Sequence, residues 1–241
     1  MQTKIQIRYK IVAFLAVLAL AATAFGWWAT QPSPVAPSLL NEAEINASAP
    51  AEIEEGATLF TVATEGSETR YRVQEQLAQL DLPNDAVGTT NNVSGSIVVD
   101  QNGVVVPEQS RVVVDMASLE SDSARRDNYV RENTLETQRY PTAEFVIQEA
   151  PGMPNPLPTS GEAQFQVSGD LTVHGVTRPA TWDATARFDE EGAVVNAVTR
   201  VAITDFEMTP PQVGPVLSIE DEAGLELDLR LEREAAVDDE R

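Results

Sequence analysis

His174 is the single imidazole in a chain of 241 residues that contains no cysteine. A thiol nucleophile, a disulfide, an iron–sulfur cluster and a thiolate metal site are therefore ruled out. One histidine cannot make a multi-histidine metal centre either. To act as a general base, His174 would need a nucleophile and an orienting acid, and no G-x-S-x-G string occurs. It stands at a strand end before Thr177-Arg178-Pro179, which suits a ring hydrogen-bonded to turn backbone. Contact with the head group of a ligand is the functional alternative. Arg126 beside Asp127 is the second candidate. The pair either clamps a helix onto its support through charge-assisted bonds or offers the Arg126 guanidinium to a phosphate or quinone oxygen. Carboxylates are too abundant for any one pair to signal glycoside chemistry, and calcium-loop spacing is absent. No catalytic residue, metal or cofactor is assigned, and the chain reads as a non-enzyme.

The charge balance narrows the partners. Lys and Arg number 16 against 38 Asp and Glu, a formal net charge of -22. Binding nucleic acid requires a cationic footprint that this chain lacks. A basic patch for anionic lipid surfaces is missing too. With 42% hydrophobic residues, a sizeable core is affordable.

The N-terminus carries an uncharged, mostly apolar run over residues 11–29, preceded by Lys4, Arg8 and Lys10. Its length just suffices to span a bilayer, and the flanking cations hold the start of the chain in the cytoplasm. Residues 1–29 are thus either a transmembrane anchor or a signal peptide, with Ala22-Thr23-Ala24 as a cleavage site. Both readings place the remainder outside the cytoplasm, membrane-tethered if the segment is kept and secreted or periplasmic if it is cut. Residues 30–58 form a linker rich in Pro, Ala and Glu, where Pro32, Pro34, Pro37 and Pro50 oppose regular structure. A domain over 59–233 follows, and 234–241 is an acidic tail.

Within that domain, alternation dominates. Leu225, Leu227, Leu229 and Leu231 alternate with Glu226, Asp228, Arg230 and Glu232, the mark of a strand with one face buried and one wet. Similar runs at 71–76, 94–100, 104–116, 143–150, 164–173, 182–188 and 193–203 bring the number to about eight. Asp100-Gln101-Asn102-Gly103 and Asp189-Glu190-Glu191-Gly192 read as hairpin turns, 151–161 as an exposed loop, and 123–133 as the only helix, with Ser121 or Ser123 as N-cap. The fold class is all-β. Eight antiparallel amphipathic strands make a sandwich or a closed barrel, and a barrel of eight is just wide enough to be filled by side chains or to hold one small ligand. The inward set is Tyr71, Val73, Ile97, Val99, Val112, Val114, Phe145, Ile147, Phe165, Val167, Leu171, Trp182, Phe188, Leu225, Leu227 and Leu229. These residues either fill a core or line an apolar pocket, and periodicity does not choose.

Three strings point to a family. Residues 110–147 end one strand in Val112, Val114 and Asp115, continue with Arg126-Asp127, and resume at Tyr140-Pro141 with Phe145. Residues 169–184 read GDLTVHGVTRPATWDA, and 204–214 read TDFEMTPPQVG. In this order the strings resemble the YceI family of exported lipid-binding proteins. The resemblance implies an eight-stranded antiparallel lipocalin-like barrel with one short helix and a long internal tunnel. It also implies an isoprenoid or quinone-like amphiphile as ligand, its tail inside and its head near His174 or Arg126. The polar stretch 78–93 departs from the family pattern and is expected as a lid or rim loop. The alternative function is a non-catalytic envelope adhesion or scaffold module with a packed barrel core. Oligomeric state is left open, a homodimer included.

Overall fold

The computed structural model describes residues 53–77, 83–210 and 216–235. The expected anchor or signal segment, most of the linker and residues 236–241 of the tail lie outside the described residues.

The longest strand, β11 (Val216–Ala235), organises the sheet. One of its edges pairs with β10 (Gly192–Ala202). The other pairs first with β1 (Thr58–Val62) and then with β2 (Glu68–Leu77), both antiparallel. β1 and β2 are therefore two halves of one strand path, interrupted at 63–67. The same holds for their neighbours. β3 (Asn84–Thr90) lies on β2 and β4 (Val93–Val99) lies on β1, with a break at Asn91-Asn92. β5 (Arg111–Asp115) then pairs with β4, and β6 (Glu120–Ser121) pairs with β3. β7 (Thr142–Glu149), β8 (Gly161–Val173) and β9 (Val176–Phe188) carry the sheet round to β10. The result is a closed antiparallel barrel of eight strand paths, three of which break at one level.

The breaks are stitched by side chains, because interrupted ladders leave backbone groups that must find partners. Ser67 Oγ accepts from Arg230 N at 3.0 Å, Thr90 Oγ1 accepts from Asn92 N at 3.0 Å, and Asp115 Oδ1 accepts from Ala117 N at 2.9 Å. Thr90 and Ser118 share a hydroxyl–hydroxyl bond of 2.6 Å across the seam.

Several elements differ from their expected form. The stretch expected as a lid or rim loop contains strand β3. Its buried positions are Ala86, Gly88 and Thr90, too small or polar to register as a hydrophobic stripe. Gly88 is required there: a Cβ would stand 2.3 Å from the Tyr71 ring that lies across it. β1 was not expected as a separate strand, since five residues are too few to show a period. The expected strand 104–116 is broken by a 3-10 turn at Pro107–Gln109, as a proline without an N–H favours. Ser110, fully buried, then replaces ladder bonds by accepting from Val98 N at 3.0 Å and donating to Val98 O. The expected helix is shorter and in two parts, α1 (Ala124–Tyr129), capped by Ser123, and a π-helix over Val130–Thr134. Among the described residues no helix is long and apolar enough to cross a membrane.

Both expected hairpin turns are present. Asp100 Oδ1 accepts from Asn102 N and Val104 N, and Asp189 Oδ1 accepts from Glu191 N and Gly192 N. The backbone bond from Val104, helped by Asn102, holds the Asp100 carboxyl below the usual carboxylate range. At Gly169, β8 passes so close to β7 that a Cβ would lie 2.1 Å from Val146 O, beside the register shift between Ile147 and Glu149. Backbone cannot yield as a flexible side chain would. Gly169→Ala is expected to cost about 1–3 kcal/mol or more, read as a fall in thermal midpoint by circular dichroism; an unchanged midpoint would show that the two strands have slack here.

Candidate functional site

Among the described residues, the barrel interior holds a large apolar chamber of about 630 Å³ and a small one of about 90 Å³. The large chamber lies on the side of β2, β3 and α1, and the small one on the side of β1, β4 and the β9–β10 hairpin. Tyr71, Val73, Val114, Leu171 and Leu225 line only the large chamber. Ile97, Val99, Ile147, Phe165, Val167, Phe188 and Leu229 line only the small one. Val112, Phe145, Trp182 and Leu227 face both. All sixteen inward positions therefore face the interior, and the two expectations for them divide along the barrel axis. One end is nearly filled by side chains and the other is hollow.

The polar edge of the large chamber is built by α1 and β2. Ser123 Oγ accepts from Arg126 N and starts the helix. Asp127, buried, accepts from Ser121 N at 3.0 Å and from its hydroxyl, so the helix is pinned to β6. Arg126 Nη2 donates to Glu75 Oε1 on β2 at 2.9 Å, and its Nη1 donates to Asp122. Glu75 is only 3% exposed, so this ion pair is the clasp between helix and barrel. Burial works against the charge on Arg126, but the hydrogen bond it donates to Asp122 and the field of Glu75 outweigh it, and the guanidinium stays charged. Tyr71 stands in the same cluster. Burial pushes its phenol above the usual tyrosine range, with Arg126 opposing and Asp127 and Glu75 adding to the rise. It is thus a neutral hydroxyl on the chamber wall. Arg125, exposed, also borders the chamber.

His174 is placed elsewhere. It occupies the β8–β9 turn with φ +53° and does not line either chamber. Its Nδ1 lies 3.3 Å from Phe206 O, and its ring meets Tyr140 edge-on at 4.5 Å between centroids. Nε2 is 3.7 Å from Glu136 Oε1, beyond hydrogen-bond reach. Tyr140 also covers Gly175, where a Cβ would stand 2.6 Å from the ring. The three strings noted in the sequence therefore meet here, through Tyr140, His174-Gly175 and Phe206, as a packing cluster in which Phe206 also lines the large chamber. Among the described residues no group of His, Asp and Glu could hold a metal ion.

Sequence reasoning missed Glu75, although it falls in phase with Tyr71 and Val73 and so had to face inward. It also missed Met116, Leu119, Leu135, Ile203, Phe206 and Met208, which enter the wall from turns and short helices that carry no period.

The sequence profile of the YceI-like domain matches residues 60–231. The chain belongs to the YceI-like family. Over 135 residues it is 35% identical to a UPF0312 protein of Pseudomonas putida strain GB-1, covering 52% of this chain and 64% of the relative. A UPF0312 protein of Vibrio vulnificus strain YJ016 is 35% identical over 95 residues, 39% of this chain and 46% of that one. The chain thus matches less than two thirds of the length of these curated relatives. Among solved structures, a polyisoprenoid binding domain from Saccharophagus degradans, implicated in plant cell wall breakdown, superposes with a TM-score of 0.57 at 16% identity. That match covers 72% of this chain and 97% of the domain. BcnA of Burkholderia cenocepacia gives 0.51 at 17% identity over 70% of this chain and 98% of its own. At these identities the likeness is one of fold, and the YceI-like barrel is that fold.

The clasp gives a prediction. Removing one partner of a buried ion pair strands the other, which typically costs about 3–5 kcal/mol. Arg126→Met should lower stability by an amount of that order in urea unfolding, and Arg126→Met with Glu75→Met should recover most of the loss. Equal losses in single and double variants would show that the pair is not coupled.

Proposed function

We propose that this YceI-like domain is a non-catalytic carrier that sequesters a long-chain isoprenoid or quinone-like amphiphile, with the tail in the large chamber and the head at the α1 edge. The observation that carries the proposal is the hollow, apolar end of the barrel. Its volume falls within the range of small-molecule sites, roughly 300–1,000 Å³, and its polar groups sit at one edge. The fold is shared with a domain described as polyisoprenoid binding. A scaffold with a packed core would need this end filled.

Transfer of apolar area from water contributes about 25 cal/mol per Å², so the tail supplies most of the affinity. The head meets a balanced set of groups. Arg126 is already paired to Glu75 and Asp122, and Tyr71 is neutral, which favours a carbonyl or hydroxyl head over a strongly anionic one. His174, set behind the wall, serves packing. For location, the proposal rests on the sequence: cations before an uncharged run at 11–29 direct the barrel out of the cytoplasm, tethered if the run is retained.

Two measurements test this. Solvent extraction of the purified protein followed by mass spectrometry is expected to yield a prenyl or quinone-like lipid. An added prenyl lipid at about 100 times its Kd is expected to stabilise the fold by about 2.7 kcal/mol. Val114→Trp, which places a ring in the large chamber, should keep the barrel folded and abolish that stabilisation. Protein that is always empty and indifferent to lipid would overturn the proposal.

A further inference from the structure

The residues shared by the two chambers form a wall across the barrel. Val112 and Phe145 are cross-strand partners on β5 and β7. Trp182 comes from β9 and Leu227 from β11. The rings of Phe145 and Trp182 meet at 5.6 Å with a tilt of 53°. All four side chains are buried, Trp182 to 3% exposure. Among the described residues its indole N–H has no hydrogen-bond partner, and the ring is held by packing. Beyond this wall Phe60, Phe188, Leu229 and Leu231 close in.

The wall sets how much tail can enter. A dry cavity of about 150 Å³ admits one benzene, so the large chamber holds roughly four such pieces, on the order of 20–25 carbon atoms. The small chamber holds less than one. β11 bulges between Ile219 and Ala223, so depth is read on its partner: from Glu75, opposite Ile219, to Thr69, opposite Leu227, β2 advances about 3.3 Å per residue, and barrel tilt reduces this to roughly 15 Å along the axis.

We infer that Phe145 and Trp182 form a septum that limits the bound tail to about four isoprene units, making them the residues that determine chain-length specificity. This rests on the carrier reading above. A longer tail would have to leave its remainder at the mouth, in water, where added length contributes no burial.

The test is a length series of prenyl alcohols, geraniol, farnesol, geranylgeraniol and solanesol, titrated against delipidated protein. Affinity is expected to rise by roughly ten-fold or more per isoprene unit up to geranylgeraniol. Solanesol is expected to bind no more than about three-fold tighter than geranylgeraniol. In Phe145→Ala, which joins the chambers, solanesol should gain about ten-fold over geranylgeraniol; Phe145→Leu serves if the alanine variant does not fold, and the unaltered protein decides the point by itself. Affinity that keeps climbing to solanesol in the unaltered protein overturns the septum while leaving the carrier intact. Failure of every alcohol to bind overturns the carrier reading, and the septum with it.

Discussion

The barrel depends on the coincidence of three strand breaks at one level. β11 is continuous, although its register against β2 shifts between Val216 and Ser218 and between Ile219 and Ala223, while three successive paths on one side of it stop and restart at 63–67, Asn91-Asn92 and 116–119. On the β1 side the large residues Phe60, Ile97 and Val99 converge on Phe188 and Leu229. On the β2 side the buried positions of β3 shrink to Ala86, Gly88 and Thr90; Ala86 lines the large chamber, and the Tyr71 ring lies across Gly88.

Such a seam is costly unless its polar groups are paired, since an unmade buried hydrogen bond costs about 1–3 kcal/mol. Ser67, Thr90, Asp115 and Ser118 satisfy it with side-chain oxygens. The widened end also loses core contacts that a filled barrel would have. α1 and the π-helix cover it, and the Arg126–Glu75 pair holds them to β2. That clasp sits at the edge a ligand would cross, so one interaction serves both the stability of the cover and access to the chamber. Around it the acidic surface keeps the exterior solvated without placing a large charge inside.

Much of this was legible in the residues. The sixteen inward positions follow from period-two alternation, and all face the interior. Both hairpin turns and the Ser123 cap follow from local chemistry. The three strings reach the YceI-like fold, and they converge at Tyr140, His174-Gly175 and Phe206 as one packing cluster. What periodicity could not show was the break level, because β1 and β3 are short and β3 buries only small residues. It also could not choose between a filled and a hollow barrel, since both need the same apolar stripe. The answer lies in side-chain volume at matched heights, which requires the register. His174 does sit in a turn, but its Nδ1 reaches Phe206 O in another element rather than the backbone of its own turn.

The most direct measurement is methyl NMR of the Val and Leu side chains while farnesol is added to delipidated protein. If the seam divides a hollow end from a packed one, Val73, Val114, Leu171 and Leu225 will shift strongly, and Val99, Leu229 and Leu231 will stay near their starting positions. Shifts spread evenly along the barrel, or confined to surface methyls such as Val104 and Val198, would contradict the account.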